Sequence, residues 1–81
     1  MLLNSEIIQQ IYFIKYRMTG MNGKQIIKTL KAHGWTLDRI EGSHHIMMHG
    51  ARSVPVPVHG AHDLKIGLIK SIEKQTGVKL L

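Results

Sequence analysis

Gly42-Ser43-His44-His45 opens a short apolar run, and His59-Gly60 closes the run Val54-Pro55-Val56-Pro57-Val58. Imidazole, with a reference pKa of about 6.5, takes up and returns a proton near neutral pH. In a basic chain such a group suggests chemistry on a polyanion, and RNA is the first candidate. RNA carries its own nucleophile, the 2′-hydroxyl. A metal-free nuclease then needs a base for that proton, a group that supports charge on the phosphate, and a donor for the leaving 5′-oxygen. Histidine serves the first or third role, and Lys or Arg the second without titrating.

The balance of charge fits such a substrate. Eleven Lys+Arg stand against five Asp+Glu, a formal net charge of +6 over 81 residues, with a pI near 10.0. Such a balance points to nucleic acid or an acidic protein partner. Cysteine is absent, which excludes disulfides and thiolate metal sites and fits a reducing cytoplasm. No stretch nears the roughly 18 apolar residues of a membrane span. The patch Ile11-Tyr12-Phe13-Ile14 lacks the flanks of a signal peptide. A chain this short buries only about 60% of its unfolded surface, so one thin core between a sheet and helices is expected, with no cofactor domain.

The elements that must position the histidines are legible from residue 22 onward. Asn22 and Gln25 fit a capping box. Ile26, Ile27 and Leu30 then form an apolar stripe, with Lys24, Lys28 and Lys31 opposite. Gly34 ends that helix, and His33 beside it suits the negative helix terminus. Trp35, Leu37 and Ile40 suggest a first, irregular strand. Glu41-Gly42 reads as a turn, 44–49 as a second strand, and 50–53 as a hairpin closure. The run 54–58 holds two prolines and must be an edge strand or an extended segment. A second helix spans about 65–76, buries Leu68, Ile69 and Ile72, leaves Lys65, Lys70 and Lys74 outside, and stops at Gly77. The expected fold class is α+β, an αβββα order with a three-stranded antiparallel sheet packed on two helices, the layout of double-stranded-RNA-binding domains. Residues 1–20 form an N-terminal extension to a domain spanning 21–81. Ile7, Ile8, Ile11 and Ile14 have helical spacing, so the segment reads either as an added helix or as sequence upstream of a start at Met21.

Strand alternation separates the two imidazoles. His44, Ile46 and Met48 share one face, and His45, Met47 and His49 the other. The face of Ile46 and Met48 reads as buried, which sets His44 at its edge unless a bulge near Gly42 turns it outward. The adjacent pair therefore does not act as a matched acid–base couple on one phosphate. Gly42 permits a turn and lets a phosphate approach the backbone; Ser43 is a possible phosphate donor. Lys24, Lys28 and Lys31 fit an RNA backbone as well as a solvated helix face. Trp35 and the Met47-Met48 pair read as packing. His49, His59 and His62 flank turns as solvated polar residues. No ligand spacing for a metal is present, and no cofactor is expected.

The chain resembles the HicA family of bacterial toxins from about Gly23 to Val78. The likeness rests on Leu30-Lys31-Ala32-His33-Gly34-Trp35, on Gly42-Ser43-His44-His45, on Val56-Pro57-Val58-His59-Gly60, and on the helix from Lys65 to Gly77. The resemblance implies an mRNA interferase: an endoribonuclease that cuts transcripts and is held by a HicB-like antitoxin covering its active site. It implies the same double-stranded-RNA-binding-domain-like fold. It also implies one functional histidine after the glycine turn, His44 here, or His45 as in relatives that place it one step later. The RNA would meet Gly42, Ser43 and the three helix lysines, and the product would be a 2′,3′-cyclic phosphate. Two other readings compete: a non-catalytic RNA-binding module, and an interaction subunit for an acidic partner.

Overall fold

A computed structural model describes residues 20–81; the expectations for the N-terminal extension lie outside these residues. The order is α1 (Gly23–Ala32), β1 (Thr36–Glu41), β2 (His44–His49), β3 (Arg52–Pro57) and α2 (Ile66–Thr76). The strands form one antiparallel sheet in the order β1-β2-β3. This is the expected α+β, double-stranded-RNA-binding-domain-like αβββα arrangement. No helix among the described residues is long and apolar enough to cross a membrane.

Local chemistry sets the ends of α1. The Asn22 side chain accepts from the Gln25 N–H at 3.0 Å, and the Asn22 N–H donates back to Gln25 Oε1 at 2.8 Å, satisfying donors that the first turn leaves open. At the other end, His33 Nδ1 lies 2.9 Å from the Thr29 carbonyl. A carbonyl only accepts, so Nδ1 carries the proton. Gly34 follows at φ +88°. The second helix starts at Ile66, with Lys65 as an N-cap that makes no side-chain cap bond, and stops at Gly77 (φ 73°).

Both hairpins have two-residue loops, Gly42-Ser43 and Gly50-Ala51, each opening on a glycine at positive φ (59° and 60°). The first turn thus lies one residue later than expected. Glycine at the first loop position and negative φ at the second is the type II′ pattern that matches strand twist. The expected irregularity in β1 is a register shift between Leu37 and Arg39. β3 is an edge strand, as its prolines require. The Val58 N–H donates to the Ser43 carbonyl at 2.7 Å. By the two-residue period, Val54 and Val56 also point their N–H groups toward β2, leaving Pro55 and Pro57 on the rim, where no donor is needed.

The core gathers Ile26, Ile27 and Leu30 of α1, Trp35 just before β1, Met47, Val54 and Val56 of the sheet, Leu64, Ile69 and Ile72 of the α2 region, and Val78. Met47 opposes Leu37 and Val54, and His45 opposes Ile40 and Val56. The helix-covered face is therefore that of His45, Met47 and His49. This corrects the expectation that Ile46 and Met48 face the core. The run 44–49 is apolar at both parities, so its own pattern cannot choose a face; the choice is made by β3, where two core valines alternate with prolines. Ile46 is buried, but it lies outside the core cluster, in a cross-strand row between Arg39 and Pro55. Leu68 is a second correction: it is 38% exposed, and α2 buries Ile69, Ile72 and Thr76 instead. The helices sit chiefly over β3, so Leu37 and Ile40 of β1 stay exposed.

Candidate functional site

The sheet register divides the two histidines. His44 stands exposed at the start of β2, on the open face, in a row with Glu41 and Pro57. It needs no bulge to reach solvent, because it is itself exposed and neither described helix covers its face; the setting at the edge of the helix-covered core face is thereby corrected. His45 lies on the helix side, half-buried, with a buried Nδ1 that has no hydrogen-bond partner among the described residues. Leaving a buried ring nitrogen unpaired costs on the order of 1–3 kcal/mol, and a catalytic role is among the explanations such an atom demands.

Both helices begin at this end of the sheet. Gly23, the first residue of α1, is packed so closely on Pro57 that an added Cβ would overlap the Pro57 carbonyl oxygen. Pro57 pairs with His44. The entry to α2 is tied to the entry to α1 by the Leu64 N–H, which donates to the Met21 carbonyl at 2.8 Å, and by a bridge between Asn22 and Asp63. Helix starts carry partial positive charge and open N–H donors, which favour anions. This convergence was not foreseen, because nothing in the spacing of Met21 and Leu64 announces that their backbones meet.

The remaining expected residues fall into two groups. Gly42 requires its residue type for conformation rather than for space, since nothing lies within 4 Å of a built Cβ. Ser43 is half-buried, and its backbone carbonyl receives Val58. Lys24, Lys28 and Lys31 are all exposed, and neither ion pair among the described residues involves them; both belong to Arg39, with Asp38 and Glu41. Lys24 sits in the first turn of α1, at the histidine end, and Lys31 in the last. At 1.5 Å per residue the row runs about 10 Å away from the histidines. His59 and His62 are exposed around a turn closed by the His62 N–H and the His59 carbonyl at 3.2 Å.

At the opposite end of the sheet, His33, Trp35, His49, Arg52, Thr76 and Val78 line a cavity of about 490 Å³. Trp35 is buried, as expected, and its ring centroid lies 5.4 Å from that of His49, tilted by 45°. Among the described residues, no three His, Asp or Glu side chains are grouped to hold a metal ion.

A comparison with curated proteins finds no match. The family profile for the HicA toxin of bacterial toxin–antitoxin systems, in contrast, matches residues 23–78. That span runs from the first residue of α1 to just past the end of α2, and so includes every element of the fold and the histidine turn. The chain belongs to the HicA toxin family of bacterial toxin–antitoxin systems, whose toxins are held in check by an antitoxin.

Proposed function

We propose that this toxin is a metal-independent endoribonuclease of the cytoplasm that cuts mRNA with a histidine of the Gly42 turn as general acid or base. The observation that carries the reading is the meeting, at one end of the sheet, of an imidazole pair with the starts of both helices. The helix starts and Lys24 favour the phosphate, and an imidazole moves the proton. Attack by the 2′-hydroxyl on the adjacent phosphorus forms the new P–O bond. The 5′-oxygen leaves with a proton, and a 2′,3′-cyclic phosphate remains. Gly42 and Ser43 border the site, and Lys24, Lys28 and Lys31 track the backbone. A HicB-like antitoxin covers this end and keeps RNA from it.

The position directly after the Gly42 turn supports His44 as that imidazole. A second reading assigns it to His45, and two observations favour that. Its Nδ1 is buried and has no partner among the described residues. It also lies on the helix side of the sheet, as does the lysine row, whereas His44 lies across the sheet.

Induced expression of wild type, His44→Ala and His45→Ala, with RNA integrity followed in each, tests the proposal. The catalytic variant should abolish both cleavage and growth arrest while keeping its fold. Intact RNA with wild type, or full cleavage by both variants, would overturn it; RNA binding without cutting would leave the non-catalytic module. A substrate with a 2′-deoxy sugar at the scissile nucleotide should resist cutting.

A further inference from the structure

The cavity at the far end of the sheet has a chemical character of its own. His49 and Arg52 pair across the Gly50 hairpin and share the helix side of the sheet. Gly34 leaves room for the His49 ring, whose Nε2 would stand 3.3 Å from a Cβ built there. Arg52 is exposed and has no carboxylate partner among the described residues. His33 spends its Nδ1 proton on Thr29, so Nε2 is the nitrogen left for another molecule. The two helices end here, at His33 and Thr76. Helix ends are partially negative. In α1 the Thr29, Leu30 and Lys31 carbonyls already accept from His33, Trp35 and Gly34, so the acceptors lie mainly at the end of α2, past the Glu73 carbonyl that takes the Gly77 N–H. Such ends are a poor seat for several phosphates and a good one for a group with N–H donors.

An imidazole face, helix-end acceptors and the Arg52 guanidinium together match one nucleotide. The base stacks on His49 and meets the acceptors, and its phosphate meets Arg52 from outside. The lysine row of α1 leads from the histidine turn to this cavity, since Lys31 lies two residues before His33. Along β2, the five steps from His44 to His49 span about 17 Å, roughly the length of five stacked nucleotides.

We infer that the cavity between the two helix ends and the Gly50 hairpin binds one unpaired nucleotide of single-stranded RNA, at a distance from the cut. The assignment to RNA rests on the proposed nuclease reading; binding of a nucleotide as such does not.

Trp35 is the single tryptophan of the chain, so its emission reports directly on the cavity. The full chain is titrated with each 5′-nucleoside monophosphate, with inorganic phosphate, and with a short 2′-O-methyl RNA that lacks the attacking hydroxyl. Mononucleotides contain no phosphodiester bond, so this arm is independent of nuclease activity. At least one mononucleotide should change Trp35 emission saturably, while phosphate alone should not. Arg52→Ala should weaken that binding about tenfold, Arg52→Lys should restore part of it, and the RNA should bind more tightly than the mononucleotide with the same dependence on Arg52. No saturable response to any mononucleotide, or a response unchanged in Arg52→Ala, would overturn the site. RNA binding no tighter than the mononucleotide would overturn its assignment to RNA.

Discussion

The two hairpins are nearly the same object locally. Each turns on two residues, each begins with a glycine near φ 60°, and each sets histidine at a strand end. Their surroundings differ in sign. Around Gly42 the helices begin, so positive dipole ends gather on the helix side of that turn, the side of His45. Around Gly50 the helices end, so negative dipole ends gather, and His33, His49 and Arg52 stand beside them. A turn sequence therefore does not define a site. The direction in which helices cross the sheet decides which end favours a phosphate.

Four measurements break or sharpen this contrast. The largest effect is expected at the Gly42 end, in RNA cleavage: losing the catalytic imidazole should lower the rate by about 10²–10⁴-fold, while the neighbouring histidine variant should change it only a few-fold. Equal losses in His44→Ala and His45→Ala, with both folds intact, would remove the division between sheet faces.

Next comes the anchor of that same end. Gly23→Ala forces a methyl group against the Pro57 carbonyl and should destabilise the domain by about 1–3 kcal/mol, read as a lower thermal midpoint. An unchanged midpoint would mean that α1 is not pinned beside His44. His45→Leu should act in the opposite sense. It removes a buried nitrogen that has no partner among the described residues and should hold or raise stability by up to about 1 kcal/mol; a clear loss in thermal unfolding would show that Nδ1 is paired. The smallest effect lies near the Gly50 end. Glu73 accepts from the Leu80 and Leu81 N–H groups at 2.7 and 3.1 Å, and these bonds hold its carboxyl below the ordinary value of 4.5. The depressed value makes the tie present above that pH and lost as pH falls through the lowered range. Amide exchange at Leu80 and Leu81 should therefore quicken in acid, and in Glu73→Gln at neutral pH.

What was legible follows from the range of each interaction. The Asn22–Gln25 box, the stops at Gly34 and Gly77, and the edge placement of a strand with two prolines are settled within a few residues, and the sequence announces them. The buried side of β2 is not, because His44-His45-Ile46-Met47-Met48-His49 offers apolar residues to either face. Val54 and Val56 on the neighbouring strand break that tie. Leu68 is read inward on periodicity and lies outward, since the core beneath α2 is already filled by Ile69 and Ile72. Of the candidate site, the histidine pair and its separation onto two faces could be read from period-two geometry alone. Which face was wet could not.

By itself, the sequence determined the element order, the helix caps, the two glycine turns, the basic character and the family likeness, all carried by residue type and short spacing. The tertiary structure alone decided that both helices start at the Gly42 end of the sheet, that the Nδ1 of His45 is buried with no partner among the described residues, and that Arg52, His49 and His33 share a cavity. Those facts depend on backbones that meet across long stretches of chain, as Met21 meets Leu64 and Gly23 meets Pro57, and no local pattern of side chains encodes such meetings.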